Sequence, residues 1–341
     1  MATEKQKILV NSSTGGRGDI WMRLVGFYAI AGLKPTLEIH ILIPQFLRQL
    51  ASVTFGDRLV IMNDEEGKKA KLSYTALGIR HLIKGLLKGE RYICSFQRTV
   101  IQDKKKKQLK DYINILIFKI ADLFGLILVP PVKWTKTFHG FLEIVAIKAI
   151  RDIDYETFKV QVDKDYPFIY SRLNGKIPLS PELTIPNDLK DHVIIFPTGS
   201  SKQFVPLPWA IENFPNAYYA FFHADKDLKR FSENGLKTVA FYKEAGDIIA
   251  LAKEAKWTIS SDSFQSHVLQ SCHDKTTIAI TEVSKSRVIN PSFKGKVVDS
   301  VVACHPCLHS SGSLYCPAGF TECQNWHEKV YTDNLIHSVV I

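Results

Sequence analysis

The chain has 341 residues, 45% of them apolar and 23% charged, which is typical of a globular protein with its own core and long enough for two domains. No apolar run approaches the ~20 residues of a membrane span, and the amino terminus is polar, which argues against a transmembrane segment or signal peptide and favours a cytoplasmic protein. The net charge of +10 favours anionic partners such as phosphates, nucleic acid or an acidic membrane face, with a merely lysine-rich soluble protein as the alternative.

The first half of the chain alternates strand and helix patterns. Strands are predicted at 7–11, 37–43 and 58–62, and helices at 20–31 and 45–53. Strands that alternate with helices indicate a parallel sheet that is covered on both faces.

A longer helix is predicted over 108–128, where apolar residues recur at helical spacing until Pro130 and Pro131 end it. It follows the lysine run 104–107, so a helix on a membrane surface is an alternative to a buried core helix. We favour the core helix, because apolar helices of this kind are more often buried.

A segment rich in proline and polar residues, 174–191, is predicted to link two domains. The domains are an amino-terminal one over 1–178 and a carboxyl-terminal one over 190–325, followed by a tail, 326–341, that we expect to pack back toward the amino-terminal domain. The second domain repeats the alternation, with strands predicted at 193–196, 217–222, 237–241, 258–260, 276–280 and 296–302 and helices at 208–213, 225–233, 248–255 and 266–271.

The first strand runs into a glycine-rich turn, Gly15-Gly16-Arg17-Gly18-Asp19. Glycine lets a backbone approach a ligand closely. The third glycine of a dinucleotide fingerprint and the Gly-Lys-Ser/Thr of a phosphate loop are both absent. Asp19 is therefore the residue of interest, since a carboxylate at a helix start either caps the helix or acts as a general base, and the turn alone favours the cap.

Two turns of the second half contain the residue types of a phosphate site. One, after the strand at 258–260, holds Asp262, Ser263 and His267, of which the last two share a helix face at i and i+4. Ligands of open α/β sheets bind beyond the carboxyl ends of the strands, and the N–H groups of a helix start favour anions.

The other turn is Thr198-Gly199-Ser200-Ser201-Lys202, after the strand at 193–196. It offers small residues, hydroxyl groups and one lysine charge, which together can hold a phosphate. We expect a phosphorylated donor at these turns, although each alone is also compatible with an ordinary loop or cap.

Four cysteines fall within twenty residues near the carboxyl end, namely Cys304, Cys307, Cys316 and Cys323. In a chain expected to be cytosolic, such clustering indicates a metal more than disulfides. Four thiolates suit a tetrahedral structural Zn or Fe site. Four reduced thiols are the alternative, and His305, His309 and His327 are competing ligands.

Taken together, these motifs resemble glycosyltransferase family 9, the ADP-heptose:lipopolysaccharide heptosyltransferases. The matching segments are Gly18-Asp19, the loop 198–206, Asp262-Ser263-Phe264-Gln265-Ser266-His267 for the family's Asp-Thr/Ser-Gly-x-x-His, and Cys304-His305-Pro306-Cys307 with Cys316-Pro317 and Cys323. The resemblance implies an α/β GT-B fold, with two Rossmann-like, doubly wound domains facing each other across a cleft. It departs at Phe264, where the family has a glycine that lets a diphosphate approach the backbone, and at Phe204-Val205-Pro206, where the family has Trp-Pro.

The resemblance also implies an activity. An inverting transferase would move heptose or a related sugar from a nucleoside-diphosphate donor, most simply an ADP-linked one. The acceptor would be an anionic glycan or glycolipid such as a lipopolysaccharide core. The enzyme could act at the inner membrane face. Asp19 would be the base that activates the acceptor hydroxyl, Lys202 would contact the donor phosphate, and His267 would contact the diphosphate or brace its turn. Gly16 and Gly18 would line the cofactor site, and no catalytic metal is expected.

Three other functions stay open. One is a glycosyltransferase that acts on a nucleic-acid base or another anionic acceptor, which the net charge of +10 permits. Another is a non-enzymatic nucleic-acid-binding protein with a zinc-ribbon-like tail, although the cysteines lack the paired CxxC…CxxC spacing. The last is a GT-B-like sugar epimerase, which would need no acceptor.

Overall fold

The computed structural model describes residues 6–12, 16–63, 92–96, 127–128, 153–199, 204–307, 316 and 319–339. These residues divide into two units, which separate inside one long helix between Phe168 and Ile169. The sequence predicts the boundary slightly later, within 174–191.

Within the described residues, the first unit is built on a five-stranded parallel sheet. Its elements in chain order are β1 (Gln6–Asn11), α1 (Arg17–Leu33), β2 (Leu37–Ile43), α2 (Gln45–Phe55), β3 (Leu59–Asn63), β4 (Tyr92–Phe96), β5 (Ile127–Leu128) and α3 (Tyr155–Leu173), the helix in which the units separate. The strand order is β3-β2-β1-β4-β5, and every pair is parallel. The strands and helices predicted from 7 to 62 are confirmed.

Most of the predicted helix 108–128 lies outside the described residues. Its last two residues, Ile127 and Leu128, form β5 and pair with Cys94 and Ser95 of β4. The predicted helix 108–128 is therefore wrong at its carboxyl end. A β-branched residue shortly after a glycine is more typical of a starting strand than of a last helical turn.

Helix α1 supplies much of the core of the first unit. It is buried at every position from Ile20 to Ala31, as expected of a helix enclosed by its own unit. The rings of Trp21 and Tyr28 both meet the ring of Phe55 at the end of α2, with centroids 5.2 and 5.5 Å apart. Core packing therefore fixes the helix whose first turn carries the predicted base.

Helix α3 has no counterpart among the predicted elements. It nevertheless has an amphipathic pattern, because its buried apolar residues recur every three or four positions, at Phe158, Val162, Tyr166, Ile169 and Leu173. Pro167 interrupts the helical propensity and obscures this pattern in the sequence. The nearly buried Asp165 accepts a hydrogen bond from Arg58 at 2.9 Å, which ties α3 to the start of β3.

The second unit repeats the architecture with a six-stranded parallel sheet, as far as its described residues show. Its elements are β6 (Val193–Phe196), α4 (Leu207–Asn213), β7 (Tyr218–Phe222), α5 (Lys226–Glu233), β8 (Lys237–Phe241), α6 (Gly246–Glu254), β9 (Trp257–Ser261), α7 (Phe264–Leu269), β10 (Thr276–Ala279), α8 (Lys285–Val288), β11 (Lys296–Val298) and α9 (Lys329–Val339). The strand order is β11-β10-β9-β6-β7-β8. The predicted alternation is confirmed, with bounds that shift by a few residues. Among the helices described in either unit, none has the length and apolar character to cross a membrane.

Helix α9 at the carboxyl end lies in the core of the second unit. Tyr331 and Leu335 are fully buried, and the Tyr331 hydroxyl donates to the Ile280 carbonyl at 2.9 Å. The Trp209 indole donates to the Thr332 hydroxyl at 2.8 Å. The sequence predicts a tail that packs back toward the amino-terminal domain, whereas these contacts attach it to the second unit, because one face of α9 fills that unit's own core.

One buried carboxylate fixes the chain between α3 and β6 to the second unit. Asp247 accepts hydrogen bonds from the N–H of Ser180 at 2.8 Å and the N–H of Tyr242 at 2.9 Å. Gly246 lies against the same segment, since a Cβ there would be 2.0 Å from the carbonyl oxygen of Pro178. Part of the predicted linker is therefore an ordered piece of the second unit.

Four polar side chains cluster at the amino-terminal edge of the second sheet. Asp188 accepts hydrogen bonds from the Tyr218 hydroxyl at 2.6 Å and the Lys237 ammonium at 2.9 Å, and His192 Nε2 lies 3.1 Å from the same carboxylate. The Tyr218 and Lys237 hydrogen bonds hold the pKa of Asp188 far below its usual range. Burial and the bond to Asp188 raise the pKa of Tyr218 to about 12.

Candidate functional site

The two predicted turns of the second unit leave neighbouring strands at one edge of its sheet. The sheet continues from β6 to β7 and from β9 to β10, so the strand order reverses between β6 and β9. Phe196 at the end of β6 pairs with Ser260 of β9. The loop that begins at Pro197 and the turn at Asp262 therefore start side by side. Open α/β sheets bind ligands at such a reversal, beyond the carboxyl ends of the strands.

The loop after β6 is described at its two ends. Thr198 and Gly199 lie directly beyond the strand, while Ser200, Ser201 and Lys202 lie outside the described residues. The Val205 N–H donates to the Pro197 carbonyl at 2.8 Å, which closes the loop at its base. The phosphate contact expected of Lys202 stays a prediction.

The turn after β9 is closed by its own side chains. Asp262 is 3% exposed, and its N–H donates to the Ala279 carbonyl at 3.3 Å. The Ser263 hydroxyl donates to Gln265 Oε1 at 2.5 Å, and the Ser266 hydroxyl donates to the Ser263 carbonyl at 2.8 Å. A ligand that bonds to the Ser263 hydroxyl would therefore have to compete with Gln265.

Helix α7 begins at Phe264, two residues before the predicted start, and has six residues. The N–H of His267 donates to the Ser263 carbonyl at 3.4 Å, so the two residues are one helical turn apart, as predicted. His267 is partly buried. A helix this short aligns few peptide dipoles, so the anion affinity expected of its first turn is small.

Asp19 caps the helix on which it lies. Its Oδ2 accepts a hydrogen bond from the N–H of Gly16 at 3.2 Å, and α1 starts at Arg17 rather than at the predicted Ile20. The carboxylate is partly buried. The cap, one of the two roles that the sequence leaves open, is thus present, and the bond fixes the carboxylate beyond the end of β1.

Arg23 is a charged residue of the same region that sequence reasoning missed. Its side chain is 1% exposed, and its Nη1 donates to the hydroxyl of Ser12, just after β1, at 2.9 Å. Burial lowers the pKa of Arg23 to about 10, which the charge of Asp19 opposes. The guanidinium is still protonated at neutral pH. A lone arginine inside an apolar helix is the signal that could have revealed it.

The four carboxyl-terminal cysteines do not support the predicted metal site. All four are among the described residues, where no group of three or more His, Cys, Asp or Glu side chains could hold a metal ion. Cys304 is exposed and Cys323 is buried. Burial raises the pKa of the Cys323 thiol, which disfavours the thiolate that a metal requires. The spacing that indicates a Zn or Fe site is therefore not matched by the geometry.

Asn325 holds this segment instead. Its amide donates to the hydroxyl of Ser300 at 2.8 Å and to the sulfur of Cys323 at 3.3 Å, and its carbonyl accepts from the N–H of Val301 at 2.9 Å. The neighbouring Trp326 packs edge-on against Trp209, with centroids 4.9 Å apart. Hydrogen bonds and apolar contacts therefore hold this segment in place, a role that the sequence predicts for a metal.

The sequence matches no protein-family model and no curated protein sequence. Solved structures, in contrast, match over nearly the whole chain. A glycosyl transferase of family 9 from Veillonella parvula is 12% identical with a TM-score of 0.60, over 99% of this chain and 98% of that chain. The ADP-heptose lps heptosyltransferase II of E. coli is 14% identical with a TM-score of 0.53, over 98% of each chain.

The chain has the fold of the family 9 glycosyltransferases. Both units have the Rossmann strand order, and the predicted GT-B fold is confirmed. Identities this low establish the fold alone, since one fold supports many activities. In this GT-B chain Phe264 stands at the start of α7 and is 8% exposed, so a large ring replaces the glycine expected there from the resemblance.

Three further side chains at the carboxyl edge of this GT-B chain's second sheet were not predicted. His223 follows β7 and Tyr242 follows β8, and their rings stack with centroids 5.1 Å apart and planes 17° apart. Glu244 lies two residues further, and its N–H donates to the Ser180 hydroxyl at 3.2 Å. No sequence motif joins these residues, because only the order of the strands brings them to one edge.

Proposed function

We propose that this chain is an inverting glycosyltransferase that moves a sugar from a nucleoside-diphosphate donor to a hydroxyl of an anionic acceptor. One observation carries the proposal. Two turns of small and hydroxyl residues leave β6 and β9 at the point where the order of the second sheet reverses. In this type of sheet that position binds nucleotides. The fold, which is that of solved glycosyltransferases, supports the same conclusion.

The donor is assigned to the second unit. The loop 198–202 and the turn from Asp262 to His267 hold the diphosphate, and Lys202 contributes the positive charge that stabilises it as it leaves. The name of one solved relative includes ADP-heptose, which supports heptose or a related sugar as the group transferred. Because Phe264 stands where the resemblance implies a glycine, the phosphate is expected to lie at a different position from that in a turn that contains glycine.

The acceptor is assigned to the first unit, where Asp19 is the general base. One carboxylate oxygen accepts the Gly16 N–H, and the other takes the proton from the acceptor hydroxyl. The acceptor oxygen then attacks the anomeric carbon from the face opposite the diphosphate, so the new C–O bond forms as the bond to the diphosphate breaks, and the configuration inverts. A positioned base of this kind contributes about 10²–10⁴ in rate.

The acceptor is proposed to be anionic, because the chain carries a net charge of +10. A lipopolysaccharide-like glycan, presented at the inner membrane face to a cytoplasmic enzyme, fits this charge. A nucleic acid is the second candidate. If the chain binds DNA with an affinity that falls steeply as the salt concentration rises, the nucleic-acid acceptor is favoured, since phosphate contacts release counterions.

A thermal-shift screen of nucleoside diphosphates and nucleotide sugars tests the donor assignment. A ligand at 100 times its Kd stabilises the folded state by about 2.7 kcal/mol, which is readily measured as a shift in Tm. Inorganic pyrophosphate and free nucleosides are the controls, because a true donor should exceed both. If no nucleotide raises the Tm beyond these controls, the donor assignment is wrong.

A further inference from the structure

The ends of β7 and β8 lie next to the proposed diphosphate site. The strand order runs β9-β6-β7-β8, so β7 is one strand and β8 two strands away from β6. In Rossmann-type units the pyrophosphate lies at the turn after the first strand, and the ribose meets a residue about 20 positions further along the chain. A nucleoside whose diphosphate lies beyond β6 therefore extends over the ends of β7 and β8.

A stacked ring pair stands at these strand ends. Two backbone hydrogen bonds hold it, since the His223 N–H donates to the Phe241 carbonyl at 2.8 Å and the Tyr242 N–H donates to Asp247 at 2.9 Å. His223 is exposed and Tyr242 is partly exposed. Flat side chains that are fixed by the backbone and open to solvent are surfaces on which any base can stack, so they supply affinity without choosing among bases.

Glu244 lies two residues beyond Tyr242 and supplies a carboxylate near this ring pair in the sequence. Its Oε2 is buried and has no hydrogen-bond partner among the described residues. Its backbone is fixed by the bond to Ser180. Burial and the nearby carboxylate of Asp247 raise the pKa of Glu244, because both disfavour its charged form. A ligand with two adjacent N–H groups would supply hydrogen-bond donors to that form.

We propose that Glu244 makes the donor site selective for guanine. This inference rests on the proposed glycosyltransferase function and names the base of its donor. Guanine presents two adjacent donors, at N1 and at the N2 amino group, which the two oxygens of a carboxylate can accept together. Adenine and cytosine place a ring acceptor beside their amino group, and uracil has one N–H between two carbonyls. Glu244 therefore argues for a GDP-linked donor in place of the ADP-linked donor that the family resemblance implies.

Calorimetric titration of the full chain with GDP, IDP, ADP and UDP tests the inference. IDP keeps the N1–H of guanine and lacks its N2 amino group. GDP should bind most tightly, IDP less tightly, and ADP and UDP about tenfold to a hundredfold more weakly than GDP, the range for hydrogen bonds to a charged group. Glu244→Gln should remove the advantage of GDP and leave ADP and UDP unchanged. The matched control is Glu254→Gln, an exposed residue of α6.

The outcomes separate this inference from the function on which it rests. Equal affinity for the four nucleotides, or a GDP preference that survives Glu244→Gln, would overturn the guanine assignment and leave the glycosyltransferase proposal standing. Failure of all four to bind would overturn both. If Glu244→Gln does not fold, the order GDP, IDP, ADP in the wild-type chain decides. Tyr242→Leu should weaken all four by a similar factor, and an effect on GDP alone would contradict the stacking role.

Discussion

Acidification should destabilise the second unit through His273. The ring is mostly buried, and its Nε2 has no hydrogen-bond partner among the described residues. Burial, with the charges of Lys253 and Lys275, lowers the pKa of His273 from 6.5 to about 4, against the opposing effect of Asp274. The unfolded chain takes up this proton near pH 6.5, whereas the folded chain stays neutral until about pH 4. Stability is therefore full above pH 6.5 and is lost as the pH falls toward 4.

The magnitude follows from the gap between 6.5 and about 4, which corresponds to about 3 kcal/mol at about 1.36 kcal/mol per pH unit. Because the ring keeps some contact with water, we expect about 2 kcal/mol. Urea unfolding at pH 7 and at pH 4.5 measures it. The wild-type chain should lose about 2 kcal/mol more than His273→Gln, and the exposed-site control His337→Gln should behave like wild type. Equal losses in wild type and His273→Gln would show that His273 does not cause the loss of stability in acid.

Three other predictions concern the second unit. Gly246→Ala should lower the unfolding free energy by about 1–3 kcal/mol in urea, because the added Cβ would be 2.0 Å from the Pro178 carbonyl oxygen; unchanged stability would contradict the close packing of Gly246 against Pro178. Asp188→Ala should return the pKa of Tyr218 from about 12 toward 10, as followed by ultraviolet absorbance, and a pKa that stays near 12 would assign the shift to burial alone. Chelation of metal ions should leave the Tm unchanged, because Asn325 hydrogen bonds and the contact of Trp326 with Trp209 hold the cysteine segment, and a large fall would restore the metal prediction.

The sheets were predictable because their strands are short apolar runs between turn residues. β6, for example, is apolar at every position from Val193 to Phe196, and such runs can be recognised in the sequence. Helix α3 was missed because Pro167 and its charged residues conceal an apolar stripe. The packing of α9 could not be predicted, since the apolar pattern of a helix does not indicate which sheet the helix covers.

The residues of the candidate site also fall into two groups, those that the sequence predicts and those that it does not. Asp262, Ser263 and His267 are neighbours in the chain, so spacing alone predicts that they share a turn. His223, Tyr242 and Glu244 come to one edge only through the strand order β6-β7-β8, which no local pattern contains. For the cysteines, the spacing in the sequence suggests a set of metal ligands, and only the three-dimensional geometry can test that suggestion.

Sugar transfer by Asp19→Asn tests the proposed general base most directly. The asparagine carbonyl can still accept the Gly16 N–H, so the helix cap is kept while the base is lost. Asp19→Ala removes both and should also cost about 1 kcal/mol of stability. We expect that Asp19→Asn folds, binds the nucleotide donor as wild type does, and transfers sugar about 10²–10⁴ times more slowly. Transfer at a near wild-type rate by the folded variant would show that Asp19 is not the general base.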